Sequence, residues 1–153
     1  MNKDKVQQEA LKLLLKSTDL VKYYNPSADE TCLILHGYVG YMIPSDELRL
    51  RLAGVQRTLD LTDALEEAVG VAGRLIATDE YRVGGTVRKY RRLDGQVVYV
   101  QTGLLKNFDH CELYQVEEGH PEKNLIVVTE TGIGADEEQI VGFVTPYRIK
   151  EEN

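Results

Sequence analysis

Nucleophile, base and carboxylate side chains occur together at one place in this 153-residue sequence, the run DHCE at residues 109–112. A cysteine that is activated by a nearby histidine is a common catalytic nucleophile. If the run is extended, its histidine and Cys111 point to opposite faces, so the base would have to come from His36 or His120. A small cysteine-dependent enzyme is therefore one hypothesis. The alternative is structural, with the adjacent histidine in a turn and Cys111 in the core.

Residues 87–102 (VRKYRRLDGQVVYVQT) place arginines and tyrosines on two runs of strand-forming residues. The dipeptide Asp94-Gly95 between the runs favours a hairpin with a two-residue turn. That register puts one set of side chains on a single face, namely Arg88, Tyr90, Arg92, Val97 and Tyr99. Guanidinium groups bind phosphates and tyrosine rings stack on bases. We therefore predict a site for nucleic acid or another partner at Arg88, Tyr90, Arg92 and Tyr99, with a solvated edge ribbon as the alternative.

No pattern in the sequence is typical of a metal, a cofactor or a bound phosphate. Cys32 and Cys111 lie far apart and form no CxxC or CxxH spacing. The glycine pairs of GYVGY and TGIGAD lack the spacing of phosphate-binding loops, and the stretch TGIGADEE is typical of a turn or loop. We predict no catalytic residues, no metal site and no small-molecule cofactor.

Charge is unevenly distributed along the chain, whose formal net charge is −7. This total argues against a domain devoted wholly to nucleic acid. Six basic residues nevertheless lie between Arg74 and Arg92 against two acids, whereas 109–138 contains nine acids and one base, Lys123. The sequence predicts a protein partner or self-association through these complementary regions, with nucleic acid as a local alternative.

The N-terminal stretch does not have the pattern of a signal peptide, and no apolar run is long enough to cross a bilayer. These features predict a cytoplasmic protein without a membrane partner.

The hydrophobic pattern predicts one α+β domain over residues 1–153. A helix begins at Lys3 and ends before Asn25-Pro26, or already at the capping sequence Ser17-Thr18-Asp19. A hairpin with a two-residue turn at His36-Gly37 follows. Short helices are predicted after Ser45 and near Thr62, and the fold of residues 54–82 stays open between helix and strand. Beyond the 87–102 hairpin the pattern predicts one or two helical turns in GLLKNF and strands in CELYQVE, NLIVVTE and QIVGFVTPYRI.

Residues 96–149 therefore contain a strand, a short helix and three strands, and the last strand ends in Pro146-Tyr147-Arg148-Ile149. This order and ending resemble half of a bacterial DNA sliding-clamp domain. A clamp chain carries three such domains and dimerises, whereas this chain has room for one. The resemblance implies a groove for partner peptides at Val144, Pro146, Tyr147 and Arg148, and basic residues that face DNA. Without the resemblance, these residues read as a C-terminal edge strand with Pro146 at a bulge.

From these patterns we expect a non-catalytic binding or assembly module, associated with DNA or a DNA-processing complex. The alternatives are the small cysteine-dependent enzyme and a structural accessory protein.

Overall fold

The computed structural model of the protein describes residues 1–117, 119–131 and 137–149. These residues form an α+β fold with a short N-terminal helix and a large, mostly antiparallel sheet. The helices are α1 (Lys3–Lys16) and α2 (Thr62–Ala68), and the strands are β1 (Val21–Ser27), β2 (Glu30–Leu35), β3 (Val39–Pro44), β4 (Gln56–Arg57), β5 (Arg74–Arg82), β6 (Val87–Arg92), β7 (Val97–Gln101), β8 (Glu112–Gln115), β9 (Ile126–Thr131) and β10 (Glu138–Val144). The predicted α+β class is confirmed.

The strands lie side by side in the order β4-β1-β2-β3-β10-β9-β8-β5-β6-β7. The pairing of β1 with β4 is parallel, and the other strand pairs of the described residues are antiparallel. The three predicted C-terminal strands are present as β8, β9 and β10, and the helical turn predicted before them is a 3-10 turn at Thr102–Leu105. Residues 132–136, most of the predicted TGIGADEE loop, lie outside the described residues.

Helix α1 ends at the earlier of its two predicted boundaries. The side chain of Asn2 caps its first turn by accepting a hydrogen bond from the backbone N–H of Lys5 at 3.1 Å. At the other end Ser17 is extended, and its hydroxyl oxygen accepts from the backbone N–H of Asp19. Because that serine stops the helix, the apolar residues from Val21 onward continue as β1 and pair with β2.

The helix predicted after Ser45 is wrong, because the chain there is irregular between β3 and β4. Ser45 does not cap a helix: its hydroxyl donates to the backbone oxygen of Ala28 at 3.2 Å. The buried side chain of Gln7 instead holds this segment, since its amide donates to the Glu47 oxygen at 3.1 Å and accepts from the Arg49 N–H at 2.7 Å. The alternating leucines at 48, 50 and 52 pack against the core, as in an extended segment.

The hairpin predicted around His36-Gly37 is confirmed as β2–β3, but its turn has three residues. Leu35 pairs with Val39, which leaves 36–38 as the loop. His36 and Gly37 both take positive φ values, 55° and 72°. The two residues thereby supply the left-handed backbone that the tight reversal requires. Residues 54–82, which the sequence left open, contain β4, α2 and β5.

The two faces of the sheet carry separate cores. On one face α1 contributes Val6 and Ala10 to a cluster with alternate residues of most strands. On the other face α2 contributes Leu65 and Ala68 to a second cluster. A helix on each face covers apolar side chains that the strands would otherwise expose.

The far end of the sheet closes on itself. Strand β7 is last in the sheet order, yet its residue Tyr99 forms a bridge with Tyr147, which follows β10. The backbone oxygen of Tyr99 accepts a hydrogen bond from the Tyr147 N–H at 2.7 Å. The strands β10-β9-β8-β5-β6-β7 are thereby linked in a closed ring of backbone pairing. Ring closure shields the edge of β7, since part of its backbone is paired on both sides. It also fixes the face that β6 and β7 turn towards solvent.

Candidate functional site

The hairpin of β6 and β7 has a register one residue away from the predicted one. Arg92 and Gln96 are joined by a backbone hydrogen bond of 2.9 Å, so the loop has three residues instead of two. Gly95 has a φ of 88°, as expected for the bulge that ends such a loop. Tyr90 therefore pairs with Val98, and Tyr99 pairs with Lys89. Because a shift of one residue moves a side chain to the other face, Tyr99 lies opposite the predicted arginine–tyrosine face.

The predicted face is the inner face of the hairpin. Tyr90 is 8% exposed and Arg92 is 2% exposed, and Val98 and Val100, which pair with Tyr90 and Arg88, belong to the core. The prediction that Arg92 and Tyr90 point outward is wrong. The reason is the closed ring of strands, which encloses the side chains at alternate positions of β6.

Arg92 is neutralised within the chain. Its guanidinium pairs with the Asp94 carboxylate at 2.8 Å and donates to the Val116 oxygen at 2.7 Å and to the Gln115 side chain at 3.3 Å. Gln115, 1% exposed, donates in turn to the backbone oxygens of Pro121 and Asn124. This buried network joins the hairpin loop to the β8–β9 connection, so Arg92 has a structural role.

Arg88 is half-buried and also has partners within the chain. Its Nε donates to the backbone oxygen of Thr78 at 2.8 Å. The guanidinium lies 5.5 Å from the ring centre of Tyr81 and 5.9 Å from that of Tyr90. Burial raises the pKa of Tyr90, and the Arg88 charge partly offsets this rise. Arg88 is held by Thr78 and both rings and does not extend freely into solvent.

The outer face of the hairpin carries a different set of cations, which the sequence analysis did not select. Lys89 and Arg91 lie on this face because they pair with Tyr99 and Val97. Lys89 forms a 2.9 Å ion pair with Glu80, whereas Arg91 is exposed. The hydrogen bond and charge of Lys89 lower the pKa of Glu80, and Arg82 and Arg91 lower it further. We call Arg82, Lys89, Arg91 and the adjacent Tyr99 the outer basic face.

The β5–β6 turn next to this face exposes aromatic and aliphatic side chains. Tyr81 is 48% exposed and Val83 is 58% exposed. Val83 has a φ of 53°, an uncommon value for a β-branched residue, and Gly84 and Gly85 follow it with positive φ. The glycine pair between two strand-forming runs is a hairpin signal that would have located this turn from the sequence.

Cys111 does not lie in an activating environment. Burial raises the pKa of its thiol, and the nearby carboxylates of Glu130, Glu112 and Asp109 raise it further. A catalytic thiol requires the opposite shift, from a cation or a helix N-terminus. The neighbouring His110 is exposed in a turn with a φ of 23°. These contacts favour the structural interpretation of the run 109–112.

The four residues predicted to form a peptide groove differ in how far they are exposed, so they do not form one surface. Val144 is fully buried in the core, and Tyr147 is half-buried and pairs with Tyr99. Pro146 and Arg148 line an open depression of about 430 Å³ together with Tyr38, which is 56% exposed. The structure therefore brings two of the four residues to one surface.

Within residues 1–117, 119–131 and 137–149, no group of histidine, cysteine and acidic side chains has the arrangement of a metal site. No helix in these ranges is both long and apolar enough to span a bilayer.

No protein-family model, curated protein or solved structure matches this chain. The resemblance of residues 96–149 to half of a sliding-clamp domain stays a prediction.

Proposed function

We propose that the protein is a non-catalytic binding or assembly module that contacts DNA through its outer basic face. On this face Arg82, Lys89 and Arg91 surround one carboxylate, that of Glu80. Three cations against one anion leave a local excess of positive charge in a chain with a formal net charge of −7. This excess is the observation that carries the proposal, because phosphate contacts dominate the affinity of proteins for DNA.

Two of the three cations are available to a phosphate. Arg82 and Arg91 are exposed, and neither forms an ion pair with a described residue. Lys89 is committed to Glu80, so its main effect is to neutralise that carboxylate. A phosphate that approaches Arg91 therefore meets little repulsion from the acid beside it.

Tyr99 on this face favours a single-stranded region of the DNA. Its ring is half-buried beside Lys89, with which it pairs across β6 and β7. A base that is not paired can stack on such a ring, and this contact contributes about 1–3 kcal/mol per base. In a duplex the bases are already stacked, so the ring would add less.

The test is the binding of fluorescently labelled single-stranded and duplex DNA at low ionic strength, measured by anisotropy. We expect the double variant Arg82→Glu, Arg91→Glu to lose at least tenfold in affinity. Lys12→Glu with Lys16→Glu is the matched control, because it makes the same change of charge at exposed positions of α1. Equal losses in the two variants would mean that only net charge matters and would refute the assignment. No binding by the unmodified protein would refute DNA as the partner.

A peptide site at the C-terminal depression is a second candidate. It rests on exposed Tyr38, which lies beside Pro146 and Arg148 and offers an aromatic surface with a cation. Such surfaces are common at the centre of protein interfaces. Photo-crosslinking from position 123, which lines the same depression, in a cell lysate, followed by mass spectrometry, would identify a partner that Tyr38→Ala with Arg148→Ala loses. A partner retained by that variant would exclude this site.

A further inference from the structure

A second surface depression, a groove with a mostly apolar lining, lies next to His36 of the β2–β3 loop. It is distinct from the depression beside Tyr38. It lies between helix α1 and the 3-10 turn at 102–105 and has a volume of about 320 Å³. Aliphatic side chains, those of Leu13, Leu35, Val39 and Leu104, line it together with Tyr41. Binding sites for small molecules range from about 300 to 1,000 Å³ and are mostly apolar, so the groove has the size and lining of a small one.

The rim of the groove is positively charged. Lys12, Lys16 and Lys106 lie on it, beside the imidazole of His36 and against one acid, Glu9. Glu9 is already neutralised, since one of its oxygens pairs with Lys106 at 3.0 Å and the other accepts from Asn107 at 3.1 Å. Lys12 and Lys16 are exposed and form no ion pair with a described residue. An occupant with an anionic group could form ion pairs with both of these lysines.

The wall of the groove also has unused hydrogen-bonding capacity. The Tyr41 hydroxyl accepts from the Asn107 amide at 3.3 Å, so its own proton is left to donate to another acceptor. Burial raises the pKa of Tyr41, which keeps that proton in place at neutral pH.

We infer that the groove binds a small amphipathic anion, a molecule with an aliphatic body and a single carboxylate or similar head group. The aliphatic floor excludes DNA and inorganic anions, which would gain nothing from Leu13 and Leu104. The lysines favour an anion over a cationic or neutral ligand of the same shape, because only the anion gains charged contacts with them. A protein partner would need a far larger contact than this groove, because specific protein interfaces bury about 1,200–2,000 Å².

Decanoate is a suitable probe, with decanol and inorganic phosphate as controls that lack the charge or the aliphatic chain. We expect chemical-shift changes on decanoate titration, in ¹H–¹⁵N spectra, at Leu13, Val39 and Leu104. Decanoate should bind at least tenfold more tightly than either control. Binding that is no tighter than that of decanol, or shifts located elsewhere, would overturn the inference.

Two variants test the groove itself. Lys12→Glu with Lys16→Glu should weaken decanoate binding about tenfold, since two exposed charge contacts are lost and repulsion replaces them. Gly103→Phe should abolish binding by filling the groove that Gly103 lines, and a Cβ atom added at Gly103 meets no neighbouring atom within 4 Å. The matched control is Arg82→Glu with Arg91→Glu, which should bind decanoate as the unmodified protein does. Decanoate binding that survives Gly103→Phe would overturn the assignment, as would a loss in the control equal to that of the lysine variant. Binding of an acidic aliphatic peptide without any binding of decanoate would identify a protein as the occupant instead.

Discussion

Arg92 gives the sharpest test of which face of the hairpin is buried. Replacing it with alanine removes the donors of two buried acceptors, the Val116 oxygen at 2.7 Å and the Gln115 side chain at 3.3 Å. A buried acceptor left unpaired costs about 1–3 kcal/mol, and the longer contact lies at the low end of that range. The ion pair with Asp94 adds little to this loss, because the Asp94 carboxylate is exposed and stays hydrated when Arg92 is removed. From the two acceptors we expect Arg92→Ala to lower the free energy of unfolding by about 2–4 kcal/mol.

Urea denaturation measures this loss directly, and the adjacent residue supplies the control. Arg91→Ala removes the same side chain from the outer face, where substitutions usually change stability by less than about 0.5 kcal/mol. A double-mutant cycle of Arg92→Ala with Gln115→Ala should also show a coupling above about 0.5 kcal/mol, since the two side chains touch. Equal stabilities of Arg91→Ala and Arg92→Ala would refute the observed register and the burial of Arg92.

Three further predictions concern acid stability, the half-buried thiol and a packed glycine. The hydrogen bond from Arg92 lowers the pKa of Asp94. The ionised carboxylate therefore stabilises the fold fully above its unfolded pKa of about 3.9. This stabilisation is lost as the pH falls through the lower pKa of the folded state. The difference in urea midpoint between the unmodified protein and Asp94→Asn should accordingly be full at neutral pH and shrink below about pH 4; a difference independent of pH would contradict this. Cys111 should react slowly with iodoacetamide at pH 7 until urea is added, because burial raises the pKa of its thiol. Rapid labelling of the native protein would contradict this and favour the hypothesis of a cysteine-dependent enzyme. Gly142→Ala should destabilise the protein by roughly 1–3 kcal/mol, since an added methyl group would overlap the backbone oxygen of Gly40 and lie 2.9 Å from the Phe108 ring. Gly103→Ala, whose methyl group meets no neighbour within 4 Å, should not; equal midpoints in thermal unfolding would contradict the close packing.

Local signals in the sequence located most strands but not the faces that they turn to solvent. Asp94-Gly95 correctly marked the hairpin, yet the same dipeptide fits a two-residue turn and a three-residue loop with a bulge. These two loops differ by one residue, and that difference replaces Tyr99 with Val98 as the partner of Tyr90 and moves Tyr99 to the other face. The bridge from Tyr99 to Tyr147 closes the ring of strands and so decides which face of β6 is buried. It joins residues far apart in the chain and leaves no local pattern.

The error after Ser45 has a similar origin. Ser45 and the two acids after it have the pattern of a helix start, but distant groups, above all the Gln7 side chain, hold the segment in another conformation. The alternating leucines from 48 to 52 were a period-two signal for that extended segment. The groove beside α1 was not predictable, because its charged rim combines α1 with the turn residue His36 and with Lys106.

The most direct test of the account is the salt dependence of DNA binding. The logarithm of the association constant should fall linearly with the logarithm of salt concentration, with a slope of about −0.9 for each phosphate contact on duplex DNA and about −0.7 on a single strand. If Arg82 and Arg91 each contact a phosphate, their joint replacement by alanine should reduce the magnitude of the slope by about 1.4–1.8. A slope that both substitutions leave unchanged would contradict a DNA contact at the outer basic face.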